Sequence, residues 1–371
     1  MPESKDPVWC QLGIFLLAPH GILRLRAYGA PLRMTKGVFR QIGRYVWLVL
    51  GVGGCMQSNQ LTSCDVCPRG CGVNRAAGER GVCGAGDTLV VARAALHFWE
   101  EPPISGERGS GTIFFAHCPL RCVYCQNAVI AAGEAGRAVT VERLAEMCLE
   151  LEAQGALNVN FVTPTHYACE ARVAVAQARE RGLTVPVVWN TSGYETVEAV
   201  RANASTVDVY LTDFKYADAC LAARYSQAPD YPEVALAALD EMVAQTGEPV
   251  FDEVDGLPRL VRGTVVRHLM LPGALEDSKR IVRLVHERYG RQVLLSLMNQ
   301  YTPVLVDAAA AGNKRAQIAL VENPELAHRV PDEDYERLLD FADELGVEDY
   351  FWQEGGAAEE SFIPPFDLTG V

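Results

Sequence analysis

The stretch TIFFAHCPLRCVYCQN, residues 112–127, sets the terms for everything around it. Its first part, Thr112 to Phe115, is β-branched and aromatic, the composition of a buried strand. It runs directly into Cys118, Cys122 and Cys125, spaced C-x3-C-x2-C, with Tyr124 just before the last. Three thiols this close together read as metal ligands. Structural zinc sites and ordinary iron–sulfur clusters are closed by four protein ligands. Three leave one coordination position open, which is what a catalytic metal needs.

Downstream, strand-like and helix-like segments alternate. TVERLAEMCLELEAQG reads as a helix with Thr140 as N-cap and Gly155 as its stop, NVNFVTP as a strand, and YACEARVAVAQARERG as a helix closed by Gly182. VPVVWNTSG, VDVYLTDFKY, LVRGTVVRHLMLPG and QVLLSLMNQYTP are further strands with helical patterns between them. Roughly six such alternations argue a parallel sheet with crossover helices. The strands end in polar groups: Thr163-Pro164-Thr165, Asn190-Thr191-Ser192, Asp213-Phe214-Lys215, Arg267-His268 and Asn299-Gln300-Tyr301. A doubly wound sheet binds its ligand at one switch point, from few strands. Polar residues at nearly every carboxyl end point instead to a barrel mouth. The expected fold is therefore α/β, an incomplete TIM-type (β/α)6 barrel over residues 112–310, with a small Cys-rich N-terminal lobe and a C-terminal helical extension, 311–371. In that extension DEDYERLLDFADELGV reads as an amphipathic packing helix. His166 and His268 each read as an acid–base group or as a hydrogen-bonded structural histidine.

Upstream, residues 60–111 are rich in Cys, Gly and Arg and read as a loop-rich, metal-stapled lobe. Cys64, Cys67, Cys71 and Cys83, spaced C-x2-C-x3-C-x11-C, are a complete ligand set for structural zinc or for a second [4Fe–4S] cluster. Residues 1–59 have a different texture. Lys36, Arg40 and Arg44 precede an apolar run from Tyr45 to Val52 and then Gly53-Gly54-Cys55, the layout of a signal peptide. That run is too short for a membrane span. The expectation is that this leader stands outside the working fold, as sequence upstream of a start at Met56 or as a signal-like segment.

The chain of 371 residues is 49% hydrophobic, enough for a sizeable core. Its net charge of −14 and the lack of a Lys/Arg run point away from nucleic acid and from anionic membranes.

The C-x3-C-x2-C pattern with an aromatic before its third Cys, placed after a first barrel strand, resembles the radical S-adenosylmethionine (SAM) superfamily. With CDVCPRGCGVNRAAGERGVCG, NFVTPTHY, VWNTSGYE, YLTDFKY, RHLMLPG and LMNQYTP, the chain is similar to the pyruvate formate-lyase activating enzyme-like group from about Cys64 to Gln353. The resemblance implies that Cys118, Cys122 and Cys125 hold three irons of a [4Fe–4S] cluster and that SAM chelates the fourth. It implies reductive cleavage of SAM to a 5′-deoxyadenosyl radical that abstracts a hydrogen atom, activating a glycyl-radical enzyme among the outcomes. It implies a low-potential electron donor of flavodoxin or ferredoxin type and a cytoplasmic setting. Carried over, Asn190, Thr191, Ser192 and Arg267 meet SAM; Tyr124 reads as a wall for adenine or as packing, and Thr163 and Thr165 are cofactor-binding candidates at the strand end where the activases hold SAM. Asp213 and Lys215 match an Asp-x-Lys in which Asp binds a monovalent cation beside the SAM carboxylate and Lys lies near the reacting centre. The chain departs from the activases at Thr163-Pro164-Thr165-His166, where they carry Gly-Gly-Glu, and at Ala128, where they carry Pro. A competing reading is a non-catalytic zinc or iron–sulfur module for electron transfer or partner binding.

Overall fold

A computed structural model describes residues 61–353 and 363–371, so the leader lies outside the described residues. The strands are β1 (Val90–His97), β2 (Ser110–Phe115), β3 (Arg137–Ala138), β4 (Val159–Val162), β5 (Val187–Thr191), β6 (Val209–Asp213), β7 (Val250–Val254), β8 (Leu257–Leu269), β9 (Leu294–Met298) and β10 (Tyr350–Phe351). The helices of six residues or more are α1 (Val141–Ala153), α2 (Ala168–Glu180), α3 (Val197–Ala202), α4 (Ala219–Ser226), α5 (Tyr231–Thr246), α6 (Leu275–Tyr289), α7 (Val304–Ala310), α8 (Lys314–Glu322) and α9 (Asp332–Leu345).

The sheet order is β10-β9-β8-β6-β5-β4-β2-β1-β3, with β7 paired to β8. From β2 through β10 the pairs on the main path are parallel, while β1 runs antiparallel to β2 and to β3. The two ends of the order, β3 and β10, do not pair with each other, so the sheet is open. This is an α/β fold with a mostly parallel sheet, consistent with the incomplete barrel expected. Among the described residues no helix is long and apolar enough to cross a membrane.

Local chemistry accounts for the elements. Thr140 caps α1 by accepting from the Arg143 N–H, and Gly155 follows at φ +94°. Asp218 caps α4 from Cys220 and Leu221. The strands are two-faced by their period of two. Val159, Phe161, Val187, Trp189 and Tyr210 face a core shared with α1 and α2. Val188, Val209, Leu211 and Val265 face the opposite way and pack with Ile104 and Leu260. Fully burying each such side chain is worth about 1.5–3 kcal/mol, so this inner plug fixes the register of the strands that carry it. A third core joins α5, α6 and α9 to the loop after β2 through Leu120, Tyr124, Leu239, Ile281 and Leu338. The packing role expected of the helix at 332–345 is what α9 performs, burying Tyr335, Leu338 and Ala342.

Four strands are absent from the sequence reading: β1, β7 and the two-residue β3 and β10, the last of which takes part of the expected helical extension into the main sheet. Residues 90–97, expected within the Cys-rich lobe, form β1 and join the main sheet. Residues 250–254 form β7, a hairpin with β8 turning at Asp255 and Gly256, both at positive φ. Asp-Gly is the standard signal for such a turn, but the apolar residues of VFDEV do not alternate with polar ones, and β7 is almost wholly exposed.

Candidate active site at the carboxyl ends of the strands

After Phe115 the chain leaves β2 and curls. His117 and Arg121 take left-handed conformations, φ +73° and +54°, which cost a non-glycine residue about 1 kcal/mol or more each. The curl is pinned by His117 N donating to Ile130 O (2.7 Å) and Val123 N donating to Tyr225 O (2.8 Å). It brings Cys118, Cys122 and Cys125 together, all half-buried. Burial pushes the Cys125 thiol up to about 12, and the charges of Cys118 and Cys122 push the same way. Cys118 is raised by burial too, against the opposing pull of the Arg121 and Leu120 N–H groups and of Lys215. Ser226 Oγ donates to Cys122 Sγ (3.1 Å) and shares a 2.7 Å hydrogen bond with Tyr216, which in turn meets Tyr124 Oη at 2.8 Å.

Beside this loop the inner faces of the strands carry one polar network. Arg267 on β8 is its hub. Its Nε donates to Asp213 Oδ1 (3.0 Å), its Nη1 to Glu100 Oε2 (3.0 Å) and its Nη2 to Asn190 Oδ1 (2.7 Å). Lys215 Nζ donates to Asp213 Oδ2 (2.6 Å). Asn160 and Asn190 donate to Glu100 Oε1 at 3.1 and 3.2 Å. Burial raises Asp213, but Lys215 and Arg267 more than offset it and hold its carboxyl below the ordinary value. Burial raises Glu100 and Glu101, and Arg267 only partly compensates. Burial alone would lower Lys215, yet Asp213 and Cys122 raise it. A cavity of ≈ 210 Å³ opens over the network, lined by Glu100, Glu101, Asn127, Asn190, Arg267 and Ser296 among others.

The expected site residues divide. Asn190, Asp213, Lys215 and Arg267 come together in the network. Thr165 and Thr191 do not join it: both hydroxyls donate to Glu195 Oε1 at 2.7 Å, with Trp189 Nε1 at 3.4 Å, in a buried cluster on the helix side. Thr163 sits at φ +57° with its N–H on Asn190 O (2.8 Å). The Ser192 hydroxyl is buried without a partner, while its carbonyl accepts from Tyr231 Oη (2.8 Å). Tyr124 is enclosed by Tyr225 and Tyr301, ring centroids 5.9 and 6.2 Å away, and does not line the cavity. His166 and His268 are structural. His166 Nε2 pairs with Ala116 O (2.8 Å), and burial lowers the ring to about 3. His268 bridges Phe214 O and Ser278 Oγ at 2.9 and 2.8 Å, and burial lowers it to about 4. The cation expected beside Asp213 has a counterpart in the chain itself, since Lys215 and Arg267 each occupy one carboxylate oxygen.

Sequence reasoning missed Glu100, Glu101, Asn160 and Glu195. Glu100 and Glu101 lie in WEEPPISG, a stretch without periodicity; β1 ends beside the start of β2, and the loop that leaves it brings Glu100 to Arg267. Asn160 could have been found, standing two residues from Val162 on a strand whose end was already singled out.

The thiol set was weighed against the chemistry it would have to hold. Among the described residues no three thiol, imidazole or carboxylate groups stand at the spacing of one bound ion. A cluster of several irons is wider than an ion, its ligands are soft thiolates, and backbone N–H groups and a cation here counter the thiolate charge. The residues fit such a group.

Residues 112–285 match the Radical SAM superfamily. An uncharacterized protein of Methanocaldococcus jannaschii is 26% identical over 302 residues, 78% of this chain and 77% of that protein. A radical SAM methyltransferase from Sphaerobacter thermophilus aligns in structure with a TM-score of 0.42 and 13% identity, over 65% of this chain and 66% of that one. That superfamily implies a [4Fe–4S] cluster and SAM. Cys118, Cys122 and Cys125 after the first parallel strand, and Asp213, Lys215 and Arg267 at the strand ends, all lie within the residues 112–285 that match that superfamily.

Proposed function

We propose that the chain cleaves SAM reductively and uses the resulting radical to abstract a hydrogen atom from an unreactive C–H, a glycine of a partner enzyme being the preferred target. One observation carries the reading: Lys215, beside the three thiols, is joined through Asp213 to Arg267, which lines a cavity. When bound, the cluster and SAM supply the one-electron cleavage. The chain's residues do the positioning. Cys118, Cys122 and Cys125 would hold the cluster through their thiolates. Lys215 offers its remaining N–H donors toward a carboxylate arriving beside the thiols. Arg267 already serves Asp213, Glu100 and Asn190, so it holds the network rigid rather than reaching for a ligand. Pre-formed charge of this kind needs no reorganisation when the reaction occurs. We assign the work to the cytoplasm, beside a low-potential flavodoxin or ferredoxin, because such a centre is oxygen-sensitive. A non-catalytic electron carrier or binding module has no use for this network or cavity.

The test is anaerobic reconstitution and reduction, with 5′-deoxyadenosine measured after SAM is added. Product is expected from the native protein and none from Cys122→Ala. Product from Cys122→Ala, or none from the native protein with its cluster intact, would sink the proposal. A glycyl-radical signal in a co-purifying enzyme, dependent on this chain and SAM, would identify the target. Its absence alongside SAM cleavage would redirect the search to another C–H.

A further inference from the structure

Between Leu61 and Gly86 the chain has almost no regular structure, yet it is tightly ordered by hydrogen bonds. Cys64 N donates to Val73 O (3.0 Å), Gly72 N to Cys64 O (2.9 Å) and Gly70 N to Cys67 O (3.0 Å), closing a knuckle around three cysteines. Gly70 and Gly72 supply the left-handed turns, φ +47° and +64°. A second turn, Gly84 N to Gly81 O (3.0 Å), carries Cys83. That turn lies against Cys71, since a Cβ placed on Gly81 would meet Cys71 Sγ at 2.7 Å. Val82 N donates to Cys71 Sγ and Ala85 N to Cys83 Sγ, both at 3.4 Å. Cys64, Cys67 and Cys83 are buried, Cys71 is half-buried, and all four are free thiols. Cys64, Cys71 and Cys83 each lie close enough to Cys67 for a charge on one to be felt at the other.

This lobe is tied to the other thiol loop by an arginine inside the knuckle. Arg69, between Cys67 and Cys71, donates from Nε to Pro119 O (3.0 Å) and from Nη2 to Leu120 O (3.2 Å), the two carbonyls that follow Cys118. It also donates to Ser226 O (2.7 Å) and Gln227 O (2.5 Å), beside the hydroxyl that meets Cys122. From the opposite side, Arg121 Nη1 reaches back to Val82 O (3.2 Å).

We infer that Cys64, Cys67, Cys71 and Cys83 form a closed four-thiolate metal centre, and that it positions the Cys118–Cys125 loop through Arg69. Three of these thiols are buried and the fourth is half-buried, and a soft cation suits such a donor set. Backbone N–H groups already aimed at two of the sulfurs favour their thiolate form. The thiols are gathered by the backbone but not drawn to single-ion spacing, so they would close on the metal as it binds. With all four ligands from protein the centre has no open position. Its role is then structural, like that of other small metal-stapled lobes whose folding is metal-linked. Zinc and a [4Fe–4S] cluster both satisfy this donor set, and the experiment separates them. Arg69 is a positioning residue, and only that part of the inference rests on the proposed function.

The full chain carrying Cys118→Ser, Cys122→Ser and Cys125→Ser together, purified without oxygen, should retain either about one zinc or about four irons. Either metal at that stoichiometry supports the centre and names it. Adding Cys64→Ser and Cys67→Ser should remove it. A folded triple variant, judged by circular dichroism, with metal below a fifth of those values would overturn the centre. That readout is independent of SAM cleavage, so it survives failure of the proposed function. Arg69→Gln, with native cysteines, should keep the lobe metal, change the EPR signature of the reduced loop cluster and slow 5′-deoxyadenosine formation at least tenfold. An unchanged spectrum and rate would overturn the coupling.

Discussion

The two faces of the same parallel strands have been put to opposite uses. On the inner face Asn160, Asn190, Asp213 and Arg267 stand above Val188, Leu211 and Val265 and form one charged network open to a cavity. On the outer face Thr191 and Trp189 close on Glu195, and His268 closes on Ser278, away from the cavity that Asn190 and Arg267 line. Residue types at the strand ends are much alike on both faces. What differs is the neighbour each meets: other strand ends inside, helices outside. A strand-end polar residue is therefore a site residue only when its pleat points inward.

The sharpest way to break this contrast is Arg267→Met. It leaves Glu100 and Asp213 buried without their shared partner, which is expected to cost about 3–5 kcal/mol in chemical denaturation and to abolish SAM cleavage. A loss below about 1 kcal/mol would mean that the network is not organised by its hub. Next comes Glu195→Ala on the outer face. It strands the Thr165, Thr191 and Trp189 donors, a loss of about 1–3 kcal/mol, while SAM turnover per intact cluster stays within about twofold. Turnover falling with stability unchanged would move Glu195 into the site. The smallest effect is His268→Asn. Burial holds His268 neutral down to about 4, so the unfolded chain takes up its proton first. Its contribution to stability is then present above about 6.5 and lost as pH falls toward about 4. Denaturation midpoints should depend less on pH across that window in the variant, with the pH profile of SAM cleavage above 6.5 unmoved. A profile that shifts would make His268 an acid–base group after all.

Much of the fold was legible. The alternation of elements downstream of Thr112 and the helix caps are local signals, and they held at Thr140 and at the strands ending in Val162, Thr191 and Asp213. The β1 strand was not legible, because VVARAALH alternates weakly and lies next to a Cys-rich segment that suggested loops. Two of the nine expected cofactor-binding residues, Thr165 and Thr191, point to the helix side and differ from Asn190 by pleat, not by chemistry.

By itself the sequence determined the three-thiol spacing, the four-thiol spacing upstream and the order of strands and helices, because each depends on covalent separation and on periods of two or 3.6 residues. Only the tertiary structure decided which polar residues share a space. Glu100 meets Arg267 across 167 residues, and Arg69 meets Ser226 across 157. Those contacts are set by strand register and by how the lobe docks on the loop. Both arise from burying apolar surface far along the chain, which no local window of sequence contains.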